Sequence, residues 1–84
     1  MNDNTFKHRL KILINNFKNK NFSQTITLAK QLLKIAPKQE AYLQNLIGLS
    51  YKGLDNLEEA EKIFVKIIDQ YPGNVAAKNN YSMV

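Results

Sequence analysis

Few residues in this chain have the chemistry for catalysis. The single histidine, His8, lies among Lys7, Arg9 and Lys11, and no cysteine occurs anywhere. A lone imidazole in a basic stretch is a surface group with no partner for proton transfer or metal binding. Glu58, Glu59 and Glu61 bring three carboxylates close in sequence. Successive helical residues point in different directions, so these side chains cannot converge on one atom and read as a solvated helix start. No glycine-rich phosphate loop, nucleophile motif or metal-ligand spacing appears. The chain is therefore not expected to be an enzyme, and no cofactor or metal is expected. The remaining polar chemistry is that of amides, supplied by eleven asparagines.

The elements that must position these groups are helices. Phe22, Thr25, Ala29, Leu32, Leu33, Ala36 and Pro37 are answered, 35 residues later, by Leu57, Ala60, Phe64, Ile67, Ile68, Tyr71 and Pro72. Spacings of three and four put the apolar positions on one helix face. Each proline falls where such a helix must stop. Between the two copies, Leu43, Leu46, Ile47, Ser50, Tyr51 and Leu54 repeat the same periodicity, and Gly53, Asp55 and Asn56 mark a tight turn. Asn56 or Asp55 is the expected N-cap there, with Glu58 and Glu59 at the positive dipole end. The pattern predicts helices near 4–18, 22–35, 39–53, 56–70 and 74–84, with no strand.

Composition fits one small folded domain. The 84 residues are 44% hydrophobic and 23% charged, with two prolines and three glycines. No apolar run reaches the roughly 20 residues needed to span a bilayer. The first residues lack the basic-then-apolar layout of a signal peptide. A cytoplasmic location and no membrane contact are expected. The net charge of +5 is uneven. Residues 1–39 carry eight basic residues against one acid, and residues 40–84 carry four lysines against six acids. Aromatic residues do not interleave with the lysines as a base-stacking platform requires, so nucleic acid is not the expected partner.

The repeat resembles the tetratricopeptide (TPR) family, whose 34-residue motif carries Leu-Gly, Tyr, Ala, Phe and Pro in order. Residues 41–74 supply Ile47-Gly48, Tyr51, Ala60, Phe64 and Pro72, with Leu57 before the second helix. Gln44 stands where the family often has Trp. Residues 1–38 form a degenerate first repeat in which Thr25 takes the small-residue position. The register of its first helix, with Phe6, Leu10, Ile12, Leu13, Ile14 and Phe17, can be set in more than one way. Residues 75–84 start a third repeat, with Ala77, Tyr81 and Val84 placed 34 after Leu43, Ile47 and Ser50. The motif-bearing stretch is about residues 20–84. Pentatricopeptide repeats, which bind RNA, are also similar, but Gly48-x-x-Tyr51 and the repeat-ending prolines favour the TPR pattern.

The resemblance implies an all-α, right-handed superhelical stack of antiparallel helix pairs that binds a protein or peptide on its concave face. Tyr42, Asn45, Leu49 and Lys52 of the middle repeat would line that face. Ala76, Asn79, Asn80 and Met83 would follow in the third. Gly48 and Ala60 are expected at a close helix crossing. Asn45 and Asn79, 34 apart, would form a ladder of amides able to bond an extended backbone. The carboxylate clamp of chaperone-binding TPR domains is missing: Leu46 stands at its second-repeat Asn, and Ala76 and Asn80 stand at its basic positions. Heat-shock chaperone tails are thus not expected partners. A role as the front module of a longer bacterial enzyme such as a transferase is the alternative. The third repeat stops short, so continuation of the chain beyond Val84 is expected.

Overall fold

The computed structural model describes residues 2–83, with side chains from residue 6 onward. Val84, assigned above to the third repeat, lies outside the described residues. Five α-helices follow one another: α1 (Asn2–Lys18), α2 (Phe22–Ile35), α3 (Glu40–Gly53), α4 (Leu57–Gln70) and α5 (Val75–Ser82). No strand occurs among the described residues. A short 3-10 turn, Pro37–Gln39, leads into α3. Each helix packs against the next in the chain, and α5 also touches α3.

The first two hairpins are copies of one another at the level of backbone hydrogen bonds. At the tip of the first, the Asn19 N–H donates to the Asn15 carbonyl, Lys20 to Phe17 and Asn21 to Asn16. In the second, Leu54 donates to Ser50, Asp55 to Lys52 and Asn56 to Tyr51. Every donor and acceptor is displaced by 35 residues. Lys20 and Asp55 share a left-handed backbone, each with φ of 63°. The helix ends repeat too, since the Ala36 N–H donates to Leu32 and the Tyr71 N–H to Ile67. These bonds fix the register of α1, which its apolar residues alone left open. Leu13 corresponds to Gly48, and Leu10 to Asn45.

Side-chain sizes are exchanged between the two hairpins. In the first, Leu13 and Ala29 are fully buried in one core cluster. In the second, the same two positions hold Gly48 and Phe64, and Phe64 is fully buried. A methyl group added to Gly48 would lie 2.6 Å from Phe64 Cε1. Gly48 is thus small because the Phe64 ring occupies the space that Leu13 fills in the first hairpin. Ala60 is also fully buried, as is Thr25 at its equivalent position. The Thr25 hydroxyl donates to the Asn21 carbonyl at 2.8 Å, so burial leaves it satisfied.

Gly53 has a role different from the turn signal it offers in the sequence. It is the last residue of α3, and no glycine here has positive φ. A Cβ at Gly53 would collide with the Phe22 ring, so its bareness lets the start of α2 approach the end of α3. Phe22 in turn meets Phe17 edge to face, with centroids 6.0 Å apart. Of the two expected caps, Asn56 is the one used at α4; its side chain accepts from the Glu59 N–H at 3.4 Å. Asn74 caps α5 through the Ala77 N–H at 2.8 Å.

Candidate functional site

The groove between α3 and α5 is the surface where the expected binding residues gather. Its volume is about 550 Å³, and its walls are mostly apolar. Tyr42 and Leu49 of α3 form one side, two helical turns apart with Leu46 between them. Ala76 and Asn80 of α5 form the other, and Lys38 and Gln39 of the 3-10 turn close one end. Tyr42 is 45% exposed, so a large aromatic face is available to a ligand.

Asn45 lies at the floor, only 6% exposed. Its amide nitrogen donates to the Ala41 carbonyl at 2.9 Å and to Asn74 Oδ1 at 3.3 Å. Its oxygen accepts from the Asn80 amide at 3.1 Å. The amide is therefore spent on holding α5 against α3, and Asn74 serves at once as helix cap and as acceptor. Asn45 partners Asn80, whereas Asn79 is exposed outside the groove, where its carbonyl accepts from the Ser82 hydroxyl at 2.9 Å. Lys52 and Met83 also do not line the groove. Lys52 sits at the α3 end, where its carbonyl accepts the Asp55 N–H, and Met83 caps the exposed end of α5. Of the residues expected at the site, Tyr42, Asn45, Leu49, Ala76 and Asn80 come together; Lys52, Asn79 and Met83 do not join them.

Lys38, Gln39 and Asn74 line the groove without having been anticipated from sequence. The signal was present in Asn74, which follows Pro72-Gly73 and precedes an apolar run as an N-cap does. Nothing in the sequence marks Lys38 and Gln39, because their placement comes from the 3-10 turn. Beside the groove, the Tyr71 hydroxyl donates to Glu40 Oε1 at 2.8 Å and ties the end of α4 to the start of α3. This hydrogen bond, with some burial and the nearby Glu40 charge, raises the Tyr71 pKa above its usual value.

The isolated titratable groups remain apart. His8 is exposed on α1 beside Lys11 and Lys18. Glu59 pairs with Lys62 at 3.7 Å, while Glu61 is approached by the Tyr81 hydroxyl at 3.5 Å. No cluster of three or more potential metal ligands occurs among the described residues. No described helix is long and apolar enough to cross a membrane. Searches against protein families, curated proteins and solved structures return no match to this chain.

Proposed function

We propose that the chain is a TPR-type repeat module, a right-handed superhelical stack of helix pairs, that holds a segment of another protein in the α3–α5 groove. The observation that carries this reading is the groove itself, with Tyr42 exposed on its mostly apolar walls and Gln39 and Asn80 at its edges. An extended segment carries one donor and one acceptor per residue, and edge amides can serve both. The exposed Tyr42 ring and the Leu49 side chain supply apolar contact, the usual source of affinity in such sites. The 35-residue recurrence of the turn hydrogen bonds supports the stacked-repeat reading.

Peptides selected from a random display library for binding to the whole chain test this. Tyr42→Ala is expected to weaken the selected peptides about 10-fold or more, in line with an aromatic contact residue. Asn79→Ala, outside the groove, is expected to leave them unchanged. Selected peptides that bind both variants equally well would contradict the groove assignment.

A further inference from the structure

Two exposed stripes of opposite charge lie one on each hairpin; Lys62 and Lys66 flank the one on α4, and Lys62 is paired with Glu59. On α1, Lys7, Lys11, Ile14 and Lys18 fall at spacings of four, three and four, a single stripe about 16 Å long. The three lysines are exposed and Ile14 is half-buried. On α4, Glu58, Glu61, Val65 and Asp69 fall at spacings of three, four and four, a stripe of the same length. All four are exposed, Val65 at 46%. Laid side by side with both helices running the same way, the stripes match in order: Lys7 with Glu58, Lys11 with Glu61, Ile14 with Val65 and Lys18 with Asp69.

Within one chain the stripes do not meet. The α1 stripe lies on the first hairpin, and the described residues contain a single ion pair, Lys62–Glu59, in neither stripe's lysines nor acids. The α4 stripe lies opposite the face that Ala60, Phe64 and Ile67 bury. We propose that these stripes are the two halves of a head-to-tail contact between copies of this chain, the α1 of one copy lying along the α4 of the next. The contact is heterologous, so it leaves one stripe free at each end and propagates unless the rotation closes a ring. With four side chains on each side it is small, which makes it weak and reversible. The net charge of +5 opposes association at long range. At physiological salt that repulsion is screened beyond about 8 Å, and the pairs in direct contact keep most of their attraction.

The proposal is independent of the groove and is tested by sedimentation of the whole chain up to about 1 mM, a range that reveals millimolar affinity. The wild type is expected to gain average mass with concentration at about 0.15 M salt and to lose that gain at about 1 M. The variant Lys7→Glu/Lys18→Glu and the variant Glu58→Lys/Asp69→Lys each place like charges at both ends of the contact and leave only Lys11 with Glu61 attractive, so each alone is expected to stay a single chain. An equimolar mixture of the two restores opposite charges across every contact and is expected to associate again. All four positions are exposed, and circular dichroism confirms that each variant is folded. A wild type that stays a single chain throughout, or a mixture that fails to recover association, overturns the proposal. So does a wild type that associates only when single-stranded nucleic acid is added, which assigns the lysines to a polyanion instead.

Discussion

At Gly48, two effects of opposite sign compete. Alanine is the better helix former by about 1 kcal/mol. Against that, the new methyl would meet the Phe64 ring at 2.6 Å, and the ring is fully buried with nowhere to retreat. Overpacking of this kind costs about 1–3 kcal/mol, so Gly48→Ala is expected to destabilise. The first hairpin already shows the compatible alternative, with Leu13 and Ala29 at the equivalent positions. The double variant Gly48→Leu/Phe64→Ala should therefore be more stable than Gly48→Leu alone. Urea midpoints of the single and double variants give the coupling, which should exceed about 0.5 kcal/mol. Additive effects would show that the two positions do not share one space.

Tyr71 makes a second prediction at the residue scale. Its folded-state pKa is raised because its hydroxyl bonds Glu40. For a group whose folded pKa lies above the unfolded value, the stabilisation is complete below the unfolded pKa and is lost as pH climbs through the folded one. The bond therefore contributes at neutral pH and fades above about pH 10. Tyr71→Phe removes it at every pH. Urea midpoints of the two proteins should differ at pH 7 and converge toward pH 11. A constant difference across that range would mean that the hydroxyl acts through packing alone.

The helices themselves were largely legible in the sequence. The spans expected at 22–35, 39–53 and 56–70 agree with α2, α3 and α4 within one residue, because periodicity and the two prolines act locally. The register of α1 was not legible. Its six apolar residues are spread too widely round the helix, and only the turn hydrogen bonds at Asn19, Lys20 and Asn21 align it with α3. Lys20 hides that alignment, since a lysine gives no hint of the left-handed backbone that Asp55 adopts more readily at the equivalent place. The 3-10 turn was not legible either, and with it went Lys38 and Gln39 of the groove. Asn45 lies at the groove floor, and its three hydrogen bonds depend on where α5 lies, which no local pattern encodes.

That dependence gives a prediction for α5. A helix of eight residues is not stable alone in water, so α5 relies on its contacts with α3 and α4. Asn45→Ala removes the donor to Asn74 and the acceptor from Asn80. Amide hydrogen exchange should then quicken across Val75–Ser82 while α1 and α2 keep their protection. A uniform loss of protection in every helix would instead place Asn45 in the global core.

On the scale of the whole molecule, the chain is elongated, 39 Å by 26 Å by 17 Å, with a radius of gyration of 12.5 Å. Successive helices pack on their neighbours, and a groove forms where α5 also meets α3. In the proposed function this groove receives a segment of another protein. It is tested most directly by recording nitrogen–proton correlation spectra of the labelled chain while a display-selected peptide is added. Shifts are expected to concentrate at Tyr42, Leu49, Ala76, Asn80 and the turn residues Lys38 and Gln39. Shifts confined to α1 or to the outer face of α4, with the groove signals unmoved, would contradict it.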